Sequence, residues 1–276
     1  MNRALALSLL LLLCGCSVRQ AAMDRVADAV AGGGGTYAAD DDPELVRAAA
    51  PFSLKLTESL LAETPRHKAL LAAAARGFTQ YAYAFVQQDA DELEESDIAR
   101  ATALQERARR LYRRARDYGM RGLAVAPDDV ELLYWTGAAW AAYIGLSKND
   151  PEALADLPAV ERMIDRALAL DEGYERGAIH TFLISYEMVR QGASGDPAER
   201  ARRHFARAVE LSGGGDAAPF VALAEAVCVP AQQRAEFEKL LDGALRAERS
   251  DNRLANLVMQ RRARWLRLRT DRLFTD

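Results

Sequence analysis

Gly122-Leu123-Ala124-Val125-Ala126-Pro127, followed by the Ala- and Leu-rich run Glu131–Ile144, reads as a helix end, a turn and a second helix. Proline cannot continue a helix, because it lacks the N–H and its ring clashes with the preceding turn. The phrase recurs as Ser59–Pro65, Ala167–Glu172, Ala208–Gly213 and Ala244–Arg249. Each is followed by a segment expected to be helical: Ala69–Phe85, Glu175–Val189, Pro219–Val227 and Asn252–Leu266. Aligning the turns on Pro65, Pro127, Glu172, Gly213 and Arg249 gives steps of 62, 45, 41 and 36 residues. A period near 34 marks tetratricopeptide hairpins. No stretch alternates apolar and polar residues as a half-buried strand would. The expected fold is therefore all-α, an α-solenoid of tetratricopeptide-like helical hairpins, with extra helices between the first and second repeats.

Those extra helices occupy the 62-residue step. The acidic Asp89–Glu95 is expected to be a loop, and a helix is expected from Ser96 to about Ala126. Its inward stripe would be Ile98, Ala101, Thr102, Gln105, Ala108, Tyr112, Ala115, Gly119 and Gly122. Six arginines, Arg107, Arg109, Arg110, Arg113, Arg114 and Arg116, make its other face basic and solvated. Three Asp-Pro pairs announce helix starts at Asp42-Pro43, Asp150-Pro151 and Asp196-Pro197. The aspartate caps free N–H groups, and the proline's fixed φ suits the first helical position.

The N-terminus carries a different kind of signal. Arg3, the apolar Ala4–Leu13 and then Leu13-Cys14-Gly15-Cys16 have the order of a secretory signal, and the apolar run is too short to span a bilayer. Leu-x-Gly-Cys resembles a bacterial lipobox. Residues 1–15 would be removed and Cys16 would carry acyl chains such as palmitate, two or more of which anchor a protein stably. Residues 16–40 then form an anchor and linker. They hold a short helix, Ala21–Ala31, and a break at Gly32–Gly35. Residues 41–276 form the repeat domain. Ser17 after the cysteine favours the outer over the inner membrane, with the body facing the periplasm.

Composition narrows the function classes. A formal net charge of -4 argues against nucleic acid. Of three cysteines, only Cys228 would remain unlipidated in the mature chain, among apolar neighbours that suit a buried thiol. The histidines His67, His180 and His204 lack metal-ligand spacing. Gly32–Gly35 and Gly213–Gly215 lack the Lys-Ser of a phosphate loop. No nucleophile motif is present, so neither enzymatic activity nor a cofactor or metal is expected. A helical array suits binding rather than chemistry.

Several phrases, in this order, resemble the T-component family of tripartite ATP-independent periplasmic (TRAP) transporters. They include Asp41-Asp42-Pro43-Glu44-Leu45-Val46, Pro51-Phe52-Ser53-Leu54, Gly77-Phe78-Thr79-Gln80-Tyr81-Ala82-Tyr83 and Tyr134-Trp135-Thr136-Gly137. Gly177-Ala178-Ile179-His180, Ala201–Ala208 and Arg262-Ala263-Arg264-Trp265-Leu266 follow. The resemblance implies a periplasmic, homotrimeric accessory lipoprotein that engages the transporter's substrate-binding protein. It also implies a cavity or pore that binds or passes a hydrophobic or carboxylate small molecule. The alternative is a general tetratricopeptide adaptor lipoprotein that binds peptide segments in cell-envelope assembly.

The candidate cavity residues are Tyr81, Tyr83, Phe85, Trp135, Trp140, Tyr143 and His180. Aromatic walls with a few polar tips suit an apolar ligand, and His180 could contact a carboxylate. Inter-repeat core is the plainer reading for each ring, and a hydrogen-bonded core histidine for His180. The C-terminal Arg261–Arg272 reads as a capping helix with a solvated basic face. Its alternatives are a dock for an acidic partner or for anionic lipid headgroups.

Overall fold

The computed structural model describes residues 21–275. The signal segment and Cys16 lie outside the described residues. Every regular element among the described residues is helical. Helix α1 covers residues 21–32 and buries Ala27 and Ala31. Only Gly33 interrupts it before α2 (Gly34–Ala38), so the expected break at Gly32–Gly35 is narrower than its glycines suggest.

Next come α3 (Pro43–Glu63), α4 (Lys68–Ala82), α5 (Gln88–Leu93), α6 (Ile98–Leu123) and α7 (Val130–Gly145). The chain continues through α8 (Pro151–Ala155), α9 (Leu157–Leu170) and α10 (Ala178–Tyr186). It ends with α11 (Pro197–Ser212), α12 (Ala218–Leu223), α13 (Arg234–Leu245), α14 (Arg253–Leu268) and α15 (Thr270–Leu273).

The three Asp-Pro starts form as expected. Asp42 accepts from the N–H groups of Glu44 and Leu45, Asp150 from those of Glu152 and Ala153, and Asp196 from that of Ala198. The inward stripe of α6 is narrower than expected. Ala101, Ala108, Tyr112, Ala115, Gly119 and Gly122 are buried, whereas Ile98 and Thr102 face solvent. Gly119 and Gly122 set the spacing to α7. A Cβ on either would enter the side chain of Thr136 or Leu132, respectively.

The acidic Asp89–Glu95 is helical through Leu93, contrary to the expected loop. A single π-turn, Tyr83–Gln87, carries α4 directly into α5. Its acids are tolerated in a helix because arginines from other elements neutralise them. Arg47 binds Asp89 at 2.6 Å, Arg261 binds Asp89 and Glu92 at 2.8 and 2.6 Å, and Arg262 binds Asp91 at 2.8 Å. Helix α10 starts later than the expected Glu175, because Tyr174–Arg176 is a 3-10 turn.

Helices packed in sequence, α3 on α4, α4 on α6, α6 on α7 and α7 on α9, build the first half; α10 to α14 continue the pattern. The last long helix then returns to the beginning. Helix α14 packs on α2 and α3, and Val258 joins the N-terminal core. Arg261, Arg262 and Arg269 thus form a seam, whereas Arg264, Arg267 and Arg272 keep the exposed basic face expected of a cap. Besides the α5 contacts, Arg262 binds Glu225 at 2.6 Å and Arg269 binds Glu95 at 2.7 Å. The Trp265 ring lies between the Arg262 and Arg269 guanidinium groups, 4.3 and 4.5 Å from its centre. Cys228 is buried, and burial pushes its thiol up to about 12, which leaves it unreactive at neutral pH.

Candidate functional site

Arg76 and Tyr83 are seven residues apart on continuous helix, so they share one face two turns apart. Two clusters meet that face. The first forms around Arg76. Its guanidinium donates to Glu131 of α7 at 2.8 Å and lies against Gly34 of α2. Tyr134 contacts Trp135 edge-to-face and Tyr174 at a tilt, with ring centres 5.0 and 5.5 Å away. The Tyr174 hydroxyl donates to the Glu175 carboxylate at 3.3 Å. The Trp135 indole Nε1 is buried, directed at Tyr174 and without a completed hydrogen bond. A buried donor with no partner costs about 1–3 kcal/mol.

Glu175 itself is held under strain. Its φ is 43° and that of Arg176 is 55°, both left-handed conformations that side chains avoid. Each costs on the order of 1–3 kcal/mol, and such strain clusters at ligand sites. Gly177 completes the turn at φ 100°, where a Cβ would also crowd Ala208 and Leu211 of α11.

The second cluster joins the two π-turns among the described residues. Tyr83 opens one and Glu225 lies in the other, Ala224–Cys228. Between them sits Arg262, paired with Glu225 and Asp91. Extra-residue π-turns occur preferentially at functional sites. Here they swing polar side chains from two helices toward one cation.

Accessibility and electrostatics together describe the surroundings of both clusters. Tyr83, Tyr134, Asp91 and Glu175 all retain accessible surface. Even so, burial raises the two phenols well above their usual range, and desolvation raises the Asp91 and Glu175 carboxyls. Glu225 adds to the shift at Asp91, as Glu131 does at Glu175; Arg262 and Arg76 oppose it.

Of the seven residues expected to line a cavity, Tyr83 and Trp135 belong to these clusters. Tyr81 and Phe85 pack on each other in the core of α3, α4 and α6, with centres 5.7 Å apart. Arg107 and Arg47 cover their rings. Trp140 turns away, donates to Asp156 at 3.1 Å and lies with Tyr143 under Arg116. His180 faces α11, where its Nδ1 is 2.8 Å from that of His204. One of those nitrogens must carry a hydrogen while the other accepts it, so the two rings hold different tautomers. Desolvation lowers both imidazoles. Glu187 binds Arg190 and Arg200 and lies 3.9 Å from the His204 ring.

Arg76, Glu131, Tyr134, Tyr174, Glu175, Asp91, Glu225 and Arg262 were not expected at a site. The seven-residue spacing of Arg76 and Tyr83 was the readable clue to the first of them. Among the described residues there is no group of three metal-binding side chains, and no helix long and apolar enough to cross a membrane.

Comparison with known proteins supplies the context. The family model described as TRAP transporter T-component matches residues 39–129 and 124–274. An uncharacterized protein of Treponema pallidum (strain Nichols) is 28% identical over 267 residues, covering 87% of this chain and 83% of its own. T-components are accessory parts of transporters and not a known enzyme family. Two matched regions that together run from residue 39 to residue 274 span nearly the whole described chain, and the chain belongs to the TRAP transporter T-component family.

Proposed function

We propose that this protein is a periplasmic, lipid-anchored accessory component of a TRAP-type uptake system. In this reading it is a tetratricopeptide-like solenoid that engages the substrate-binding protein and binds or passes a hydrophobic or carboxylate ligand. The ligand would lie along the Arg76–Tyr83 face. Tyr83, Tyr134, Trp135 and Tyr174 would contact its apolar body, and Arg76 and Arg262 are the cations a carboxylate could meet. The anchor would be acyl chains on Cys16, at the outer membrane, and the assembled form a homotrimer.

One observation carries the ligand-binding reading: the buried, unpartnered indole of Trp135 beside the strained Glu175. An incompletely satisfied donor and a backbone in a disfavoured conformation both cost free energy. A ligand that accepts from the indole would offset part of that cost.

The test uses a chain in which Trp140 and Trp265 are replaced by Phe, so that emission reports Trp135 alone. A shift with fatty or organic acids, matched by a molecule found in native mass spectrometry, is the expected result. A response to peptides alone would instead favour the adaptor reading. Sedimentation tests the trimer, and a pull-down with the substrate-binding protein tests the partnership.

A further inference from the structure

One end of the molecule carries a surplus of arginine. On the outer side of α6, Arg110, Arg113, Arg114 and Arg121 line an open depression of about 390 Å³ with Asp117 and Tyr118. Arg110 is paired with Glu106 at 3.3 Å, Arg114 with Glu58 at 3.6 Å, and Asp117 with Arg116 at 2.9 Å, which leaves Arg113 and Arg121 unneutralised among the described residues. Arg113 has no acidic partner among the described residues, nor do Arg25 and Arg66. The nearby aspartates are taken. Asp129 binds Lys68 at 2.8 Å, Asp128 binds Arg166 at 2.9 Å and Asp28 lies 3.3 Å from His67.

These residues share an end because the helix turns do. The Lys68–Asp129 pair joins the α3–α4 turn to the α6–α7 turn. Arg121 donates to the Pro65 carbonyl at 3.0 Å, which puts the depression beside the same turn. Val26, Met120 and Val125 expose more than a third of their surface there.

The chain also enters from this end. Asp28 sits against His67, the N-cap of α4, while Gly34 lies against Arg76, further along α4. Helix α1 therefore runs alongside α4 in the same sense, and its first turns project past the α3–α4 turn. Residue 21 stands about 10 Å beyond Asp28, and Cys16 no more than about 18 Å beyond that.

We propose that this end is a membrane-docking surface for anionic phospholipid headgroups. The inference rests on the reading of Cys16 as lipidated, because the tether would bring this end, and no other, to the bilayer. Attraction between arginines and anionic headgroups acts within a Debye length of about 8 Å. A tether shorter than about 30 Å keeps the surface close enough for frequent encounter. Guanidinium groups suit phosphate because their paired N–H donors match its oxygens. The exposed apolar side chains would enter the interface between them. Docking would hold the body in one orientation, with the α3–α4 and α6–α7 turns toward the lipid and the opposite end of the helices toward the periplasm.

The test uses the unlipidated chain from Ser17 on, which keeps every described residue. It is sedimented with vesicles of phosphatidylcholine alone and of phosphatidylcholine mixed equally with phosphatidylglycerol. Binding is expected to the anionic vesicles only, and to weaken between low salt and about 0.15 M. R113Q/R121Q should reduce it about tenfold or more, whereas R267Q, on α14, should not. Equal binding to both vesicles, an unchanged R113Q/R121Q, or binding to an acidic protein without binding to vesicles would overturn the proposal. Mass spectrometry of the full-length protein separates the two readings. Anionic-vesicle binding with an unmodified Cys16 removes the anchor and keeps the surface, and a lipidated Cys16 without vesicle binding removes the surface.

Discussion

Replacing Arg262 by Met should open the seam between the two ends of the chain. The Arg262 side chain is 15% accessible and its partners Asp91 and Glu225 are 21% and 31% accessible. Removing one partner of a buried pair costs about 3–5 kcal/mol. Partial exposure lets water recover some of that, leaving about 2–3 kcal/mol. Loss of the stacking on Trp265 adds about 0.5–1 kcal/mol. Met keeps the apolar stem, so the net loss should be near 3 kcal/mol. At about 2–4 °C per kcal/mol for a chain of this size, R262M should melt roughly 6–12 °C lower. A second consequence is specific to closure. Arg262 and Asp91 are 171 residues apart, so the contact is one of those, with Arg261–Asp89 and Arg269–Glu95, that couple the two ends of the chain directly. Without it the urea transition should broaden as the halves unfold separately. Circular dichroism with urea and heat measures both effects. The exposed Arg267–Asp242 pair is the control, and R267M should cost no more than about 0.5 kcal/mol. If R262M melted within about a degree of wild type and kept the slope of its transition, the reasoning would fail.

Gly119→Ala should destabilise by about 1–3 kcal/mol, because the new methyl meets the Thr136 side chain; a thermal melt equal to wild type would contradict the close approach of α6 and α7. The His180–His204 pair makes stability pH-dependent. Both folded pKa values are lowered, so the unfolded chain takes up protons first, and stability present above about pH 6.5 is lost as pH falls. Melting temperatures from pH 8 down to 5 should fall more steeply for wild type than for H180Q/H204Q. Glu175→Gly should raise stability by about 1 kcal/mol by relieving a positive φ, while weakening the ligand response of Trp135. A stabilised variant with undiminished ligand response would detach Glu175 from the site.

What could be read in advance was local. The three Asp-Pro caps, the small-residue stripe of α6, the glycines that admit α7 and the all-helical class follow from groups within a few residues of one another. Capping and helical periodicity act over one or two turns, so the chain itself states them. The aromatic candidates were legible only as a composition. Tyr81 and Tyr83 are two residues apart, yet one packs in the core and the other joins the seam, and the helix's rotation separates them without saying which side is which.

Tertiary structure decided where distant charges meet. Asp89–Glu95 looked like a loop because nothing within it neutralises its acids; arginines about 170 residues later do so and allow α5 to form. The same contacts turned Arg261 and Arg262 from part of a solvated face into a seam. Glu175 looked like the first residue of a helix, and only the close packing of Gly177 on α11 forces the left-handed turn that sets it beside Tyr174. Local chemistry sets which segments coil, but a charge or a strained residue acquires its role from the partner that folding brings to it, and that partner's sequence distance carries no local mark.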